Sequence, residues 1–294
     1  MQANITYISA GKISADKRIT DITGQLQYGL SELLAVAEHN ARYYVRHHDP
    51  EALHQYRVAL RRAKALLKAN RAFVASEYLL DLKRLFRSLT EPTGRLRDLE
   101  VFSEHLKEYT VQFPELFQEG ARCMQSDLHW EANKYRQKIL SWFLSDGFKS
   151  LLDEVYRNIS LINLTVSVNE YRHFLHSQFN KVQKKISERF HKLSALSLLQ
   201  LHQLRILVKN QRYIGSFYPE LMPGDGSEAH KTVQTMLGQI NDYAMQRDFV
   251  TEYIEQKQPD EKNLKSVALF SGALIGYLSY LEREKTQRLA NYIF

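Results

Sequence analysis

The stretch His54-Gln55-Tyr56-Arg57-Val58-Ala59-Leu60-Arg61-Arg62-Ala63-Lys64 carries the pattern that decides how this chain is read. It returns 148 positions later as His202-Gln203-Leu204-Arg205-Ile206-Leu207-Val208-Lys209-Asn210-Gln211-Arg212. Each copy opens on a histidine and places basic residues 3, 7 and 10 positions further on. These are helical spacings, so a single helix face carries all four. At ~100° per residue, His54, Arg57, Arg61, Lys64 and Lys68 fall within about 80° of arc. The row is about 21 Å long at ~1.5 Å rise per residue. Tyr56, Leu60, Ala63 and Leu67 form a neighbouring apolar stripe, and Leu201, Leu204 and Val208 repeat it in the second copy. One stripe packs while the other borders a groove.

The surrounding sequence sharpens the pattern. Between Glu51 and Glu77 there is no acidic residue and there are six Lys/Arg; between Glu188 and Glu220 there are again no acids and five Lys/Arg. Like charges one turn apart repel mildly. Two copies of that arrangement call for an anionic ligand. A mixture of planar guanidinium forks and compact ammonium groups along a row suits a chain of phosphates better than one compact phosphate. Arg95 and Arg97 extend the first row. Arg84 and Arg87 flank it, and Lys181, Lys184, Lys185 and Lys231 flank the second; for Arg95, Arg97 and these six, plain solvation is as good a reading.

His54 and His202 have three readings: metal ligand, core histidine bonded to a carbonyl, or phosphate ligand at the end of the row. Val58 and Ile206 stand where a second metal-binding histidine would be needed, and Arg57 and Arg205 would repel a metal. The phosphate reading therefore fits best, and no metal or cofactor is expected. His173 and His176 are a weak metal alternative.

Bulk composition sets the frame. The chain has 294 residues, 44% hydrophobic and 25% charged, with net charge +7. Only 12 Gly and 6 Pro interrupt it, so long helices are expected. The single cysteine, Cys123, excludes an intrachain disulfide and fits a reducing cytosol. No secretory leader is apparent. The longest uncharged run, 266–281, is shorter than the ~20 residues of a membrane span and reads as a buried helix. Gly272 and Gly276 within it are expected to let a neighbouring helix approach closely.

Periodicity places helices over 21–48, 51–73, 76–90, from 98 onward, from Pro114 to 144, and over 148–157, 170–194, 197–216, 227–238, 241–257 and 261–290. Residues 1–15 read as extended or disordered, 16–157 as a first bundle half, 158–169 as a connector able to form a short strand, and 170–294 as a second half. Gly94-Arg95-Leu96-Arg97-Asp98 matches Gly238-Gln239-Ile240-Asn241-Asp242. The same order in both halves indicates an internal duplication of a helical bundle. Asp98 and Asp242 are read either as helix N-caps or as carboxylates orienting an arginine of the row.

Taken together these residues resemble the CHAD family, the conserved histidine α-helical domain. The resemblance rests on His-x-x-Arg-Val-x-x-Arg-Arg from His54, Gly-x-x-Arg-Asp from Gly94, His-x-x-Arg-Ile-x-x-Lys-x-x-Arg-Tyr from His202, Gly-x-x-Asn-Asp from Gly238, and the closing Gly272-x-x-x-Gly276. It implies an all-α fold of two antiparallel helical bundles related by a pseudo-twofold axis, with a central basic channel that binds inorganic polyphosphate. The residues it carries over are His54, Arg57, Arg61, Lys64, His202, Arg205, Lys209 and Arg212. Asn241 stands where the first copy has Arg97, which weakens the second turn's claim. Family members often accompany a CYTH triphosphatase domain, but its Glu-x-Glu-x-Lys signature is missing. Glu282-Arg283-Glu284-Lys285 does not fit it. A stand-alone, non-catalytic, cytoplasmic and granule-associated binding module is therefore expected, with polyphosphate granules or polyphosphate-metabolising enzymes as partners. No nucleophile elbow or P-loop is present. RNA or single-stranded nucleic acid is the competing ligand, weakened because Tyr56 and Tyr213 lie outside the basic rows.

Overall fold

His48-Asp49-Pro50 shows how local chemistry sets the first joint. The computed structural model of the protein describes residues 6–15, 21–222, 227–256 and 263–291. Helix α1 (Ile22–His47) ends as His48 turns left-handed, with φ 53°. Asp49 then caps α2 (Pro50–Ala69) by accepting from the Glu51 amide, and Pro50 occupies the first helical turn, where its missing N–H costs nothing. The remaining helices are α3 (Ser76–Thr90), α4 (Gly94–Thr110), α5 (Gln118–Leu144), α6 (Asp146–Ser160), α7 (Val168–Phe190), α8 (Leu198–Phe217), α9 (Ser227–Glu255) and α10 (Leu264–Ala290). No strand occurs among the described residues, and the all-helical expectation holds. Residues 161–167, in the expected connector, are without regular structure.

The chain divides into two compact units, each made of three stretches. The first comprises Met1–Arg97, Tyr135–Lys184 and Asn210–Pro223. In it α1 packs on α2 and α6, and α3 on α2 and α6. The apolar stripe read from the sequence is the packed one: Tyr56, Leu60, Ala63 and Leu67 are all buried. Tyr56 sets its ring edge-on to Phe143 and donates to the Leu89 carbonyl at 2.7 Å. Tyr171 donates to Asn70 Oδ1 at 2.5 Å and meets the Tyr218 hydroxyl at 2.8 Å. Burial pushes both phenols up.

Residues 6–15 are extended apart from a 3-10 turn at Ala10–Lys12, and are anchored. Asn40 pairs with both backbone groups of Ile8, and the Ala10 amide donates to Gln55 Oε1 at 3.1 Å. The Ala15 amide reaches the Phe217 carbonyl at 2.9 Å. Residues 1–5 lie outside the described residues.

The second unit comprises Asp98–Lys134, Lys185–Lys209 and Gly224–Phe294, with α9 packed along α10. Arg247 of α9 bonds the buried Glu282 of α10 at 2.7 Å, so the carboxylate is not left alone in the interior. Tyr109 donates to Gln246 at 2.8 Å, and Tyr253 to Asp127 at 2.6 Å.

Three expectations are corrected here. Gly238 does not end a helix: α9 runs unbroken from 227 to 255, because Val233, Leu237, Ile240 and Val250 bury one continuous side of it. That packing outweighs the ~1 kcal/mol that an interior glycine costs. α4 likewise starts at Gly94, directly after a 3-10 turn at Glu91–Thr93. Asp98 and Asp242 therefore lie inside helices, and neither is an N-cap. Third, Gly272 and Gly276 are exposed, and a Cβ at either would meet nothing within 4 Å. They make no close helix contact. α10 is long and apolar enough to cross a membrane by length and composition, yet it buries one face, through Val267, Phe270, Leu274 and Leu278, while Leu269 and Tyr280 are exposed.

The close approach is at Gly120 instead, where a Cβ would stand 2.1 Å from the Ser266 carbonyl oxygen. Gly120→Ala is expected to destabilise the protein by about 1–3 kcal/mol, because backbone has to move. Gly272→Ala is expected to be neutral or to stabilise by up to about 1 kcal/mol, through helix propensity alone. Urea unfolding of the two variants checks the contrast; equal effects would refute the assigned packing.

Candidate functional site

With its apolar stripe packed, α2 turns His54, Arg57, Arg61 and Lys64 into a half-buried zone and leaves Lys68 exposed. Arg57 is held by the turn between α3 and α4. Its Nη1 donates to the Thr90 carbonyl at 3.1 Å and to Thr93 Oγ1 at 2.9 Å, and Thr93 is fully buried. Gly94 borders this contact: a Cβ there would lie 3.8 Å from Arg57 Nη1, at ordinary van der Waals distance.

Among the described residues, Arg61, Lys64 and Lys68 have no carboxylate at ion-pair distance. The consequence is visible at Lys64. Burial, then Arg57 and Arg61, hold its ammonium below the ordinary lysine range. Glu91 pulls the other way and Arg87 pushes down further. Arg87 and Glu91 are themselves paired at 2.5 Å, at an exposed position. The last turn of α3 thus adds a cation to the row and a carboxylate that this cation already engages. Arg84 is turned elsewhere, to Asp81 at 3.5 Å and Glu154 at 3.4 Å.

Arg62, adjacent to Arg61 in sequence, is not part of the face. It is 4% exposed and donates to the Ile13 carbonyl at 2.7 Å and Ser216 Oγ at 2.9 Å. Its charge is disfavoured by burial, is supported by Tyr213 and is opposed by Arg212. Arg212, the last cation of the second row, belongs to this first unit and lies over the Tyr213 ring at 5.9 Å.

The rest of the second row, His202, Arg205 and Lys209, belongs to the second unit. Here the partners come from α9. His202 Nδ1 hydrogen-bonds Asn241 Oδ1, which sets the ring's orientation. Arg205 donates to Asp242 Oδ1 at 3.3 Å, with side chains 18% and 39% exposed. Asp242 thus meets the arginine-orienting reading. Asn241, which the sequence marked only as a departure, fixes the ring of His202. Asn241 and Thr93 are contacts that sequence reasoning missed. The one signal for them was their place in or beside the two repeated Gly motifs.

A scan against protein families matches the CHAD domain over residues 29–251. The chain belongs to the CHAD family. Among solved structures, it is similar to the crystal structure of the CHAD domain from the plant Ricinus communis. The TM-score is 0.70 at 20% identity, covering 96% of this chain and 95% of that one. It is also similar to PptA from Streptomyces chartreusis, with TM-score 0.61 at 14% identity and coverage of 90% and 97%. At these identities the likeness establishes the fold. No curated protein matches the sequence.

In this CHAD chain the flanking residues divide. Arg95 and Arg97 are half-buried in the first turn of α4. Lys181, Lys184 and Lys185 are exposed on α7, and no described hydrogen bond or ion pair joins them to either row. Lys231 lies outside the residues whose side chains are described. Among the described residues, no three His, Cys, Asp or Glu gather where they would hold a metal ion, His173 and His176 included.

Arg61→Ala removes one of the cationic neighbours that depress Lys64, so the Lys64 pKa should rise toward the ordinary 10.5. Lysine-selective NMR titration of the two proteins measures this. An unchanged value in the variant would remove Arg61 from the causes of the shift.

Proposed function

We propose that this CHAD protein binds inorganic polyphosphate without turning it over, and that the row His54, Arg57, Arg61, Lys64 and Lys68 is its principal contact. Family membership brings the association with polyphosphate. The observation that carries the reading for this chain is the crowding at Lys64. A half-buried amine is pressed by two arginines of its own helix, with no carboxylate at ion-pair distance among the described residues. A phosphate chain relieves that repulsion along the whole row. His202, Arg205, Lys209 and Arg212 form the second row. In this reading the two rows serve one polymer, in the pseudo-twofold, channel-forming arrangement that the family resemblance implies. Polyphosphate granules and polyphosphate-metabolising enzymes are the partners, and the cytoplasm the compartment, that follow from it.

RNA is the competing ligand. Single strands are gripped by aromatic rings interleaved with cations. In the first row the neighbouring ring, Tyr56, is fully buried and already engages Leu89, which leaves no platform for a base.

Arg61→Ala and Lys64→Ala should each weaken polyphosphate binding by about 1–3 kcal/mol, the size of a charge-assisted hydrogen bond. Lys134→Ala, an exposed lysine beside Trp130, should change it little. Affinity should fall steeply with salt, by about 0.7–0.9 in log K per log salt for each phosphate neutralised. Calorimetry with polymers of graded length, and RNA as competitor, measures both. Equal losses in all three variants would remove the row from the site, RNA outcompeting polyphosphate would reverse the ligand, and phosphate release with Mg²⁺ would overturn the non-catalytic assignment.

The pH response follows from Lys64. Its pKa is lowered in the free protein, and a bound phosphate favours the ammonium form, so binding raises it. Affinity is then full below the free-state pKa and is lost as pH rises through the bound-state pKa. Lys64→Arg, which stays charged, should flatten the decline that wild type shows at alkaline pH. A wild-type profile as flat as that of the variant would remove Lys64 from the ionic contacts.

A further inference from the structure

We infer that Lys64 is a covalent modification site for acyl phosphates, because its amine stands on the same helix face as Arg61 and Arg57, one and two turns away, where a phosphoryl group would dock. The inference rests on the anion-binding half of the proposed function, not on the polymer itself. Two requirements of the reaction meet at this residue. The electrophile has to be held, and a row of guanidiniums is suited to the phosphate oxygens of an acyl phosphate. The amine has to be unprotonated to attack, and burial together with Arg57, Arg61 and Arg87 shifts Lys64 that way, Glu91 opposing. No carboxylate ties the ammonium down among the described residues. Lys68, a turn further on, is exposed, and Lys134 stands over Trp130 on α5. Neither has both features.

The step balances without a further reactant. The Lys64 Nζ lone pair attacks the acyl carbonyl carbon, forming an N–C bond. The C–O bond to the phosphoryl group breaks, and its electron pair leaves with inorganic phosphate. The amine proton passes to that phosphate or to water. No oxidation occurs. The product is a neutral amide in the middle of the basic row, so acylation removes one cation from the polyphosphate contact. An acyl phosphate would thereby turn the site down in proportion to its own concentration.

The test treats the full chain with acetyl phosphate at mildly alkaline pH, below the ordinary lysine value, and follows each lysine by peptide mass spectrometry. Lys64 is expected to acetylate about tenfold faster than Lys68 or Lys134, and Arg61→Ala to cut its rate about tenfold with Lys134 unchanged, as loss of one charge-assisted contact predicts. Tripolyphosphate should protect Lys64 alone. With p-nitrophenyl acetate, which has no phosphoryl group, the effect of Arg61→Ala should shrink to the part that comes from the raised Lys64 pKa. Equal rates at Lys64 and Lys134 overturn the inference, and so does an Arg61→Ala effect of the same size with both reagents. Calorimetry with polyphosphate on the same samples separates the two proposals. Selective acetylation without polymer binding removes the polyphosphate reading and keeps this one, whereas polymer binding without selective acetylation does the reverse.

Discussion

Two neighbouring side chains on α2 fix which way its basic row points. Tyr56 donates to the Leu89 carbonyl, and Arg57 to the Thr90 carbonyl and the Thr93 hydroxyl. All three acceptors belong to the end of α3 and the turn after it. A helix gripped on adjacent residues by one structural feature cannot rotate about its axis without breaking both grips. Tyr56 sits in the packed stripe and Arg57 at the start of the row, so the same clamp buries one face and presents the other. The carbonyl end of a helix also favours a nearby cation, which makes Arg57 both an anchor and a member of the row.

The two rows are held by different chemistry. In the first unit Arg57 donates to a carbonyl and a hydroxyl, and the cations beyond it crowd each other. In the second, an amide fixes His202 and a carboxylate engages Arg205. An ion pair this exposed contributes little stability, about 0–1 kcal/mol. Its effect is positional, and it lowers the net charge that Arg205 offers. The duplication evident in the sequence has thus produced one row whose cations crowd at Lys64 and one in which Arg205 meets a carboxylate.

Much of this was legible beforehand, for a definite reason. A basic row beside an apolar stripe is a property of one helix, and periodicity reads single helices well. Tyr56, Leu60, Ala63, Leu67, Leu201, Leu204 and Val208 are all buried as their spacing implied. The His48–Pro50 joint was legible because its capping chemistry is local. Arg62 was not legible. In sequence it is one more base in a basic run, and only Ile13 and Ser216, 49 and 154 positions away, make it an interior residue. Gly238 misled because glycine's local preference was outweighed by the packing of the helix around it. Gly272 and Gly276 misled in the opposite sense: their spacing permits close contact but does not supply a neighbour.

The sequence by itself determined the helical class, the family and the composition of the two basic faces, since each follows from residue type and spacing along one helix. Tertiary structure alone decided which cations keep their charge unanswered and which are tied down. Partners such as Thr93, Glu91, Asn241 and Asp242 come from other helices. Whether a buried charge is relieved or repelled depends on separations of a few ångströms, which only folding sets.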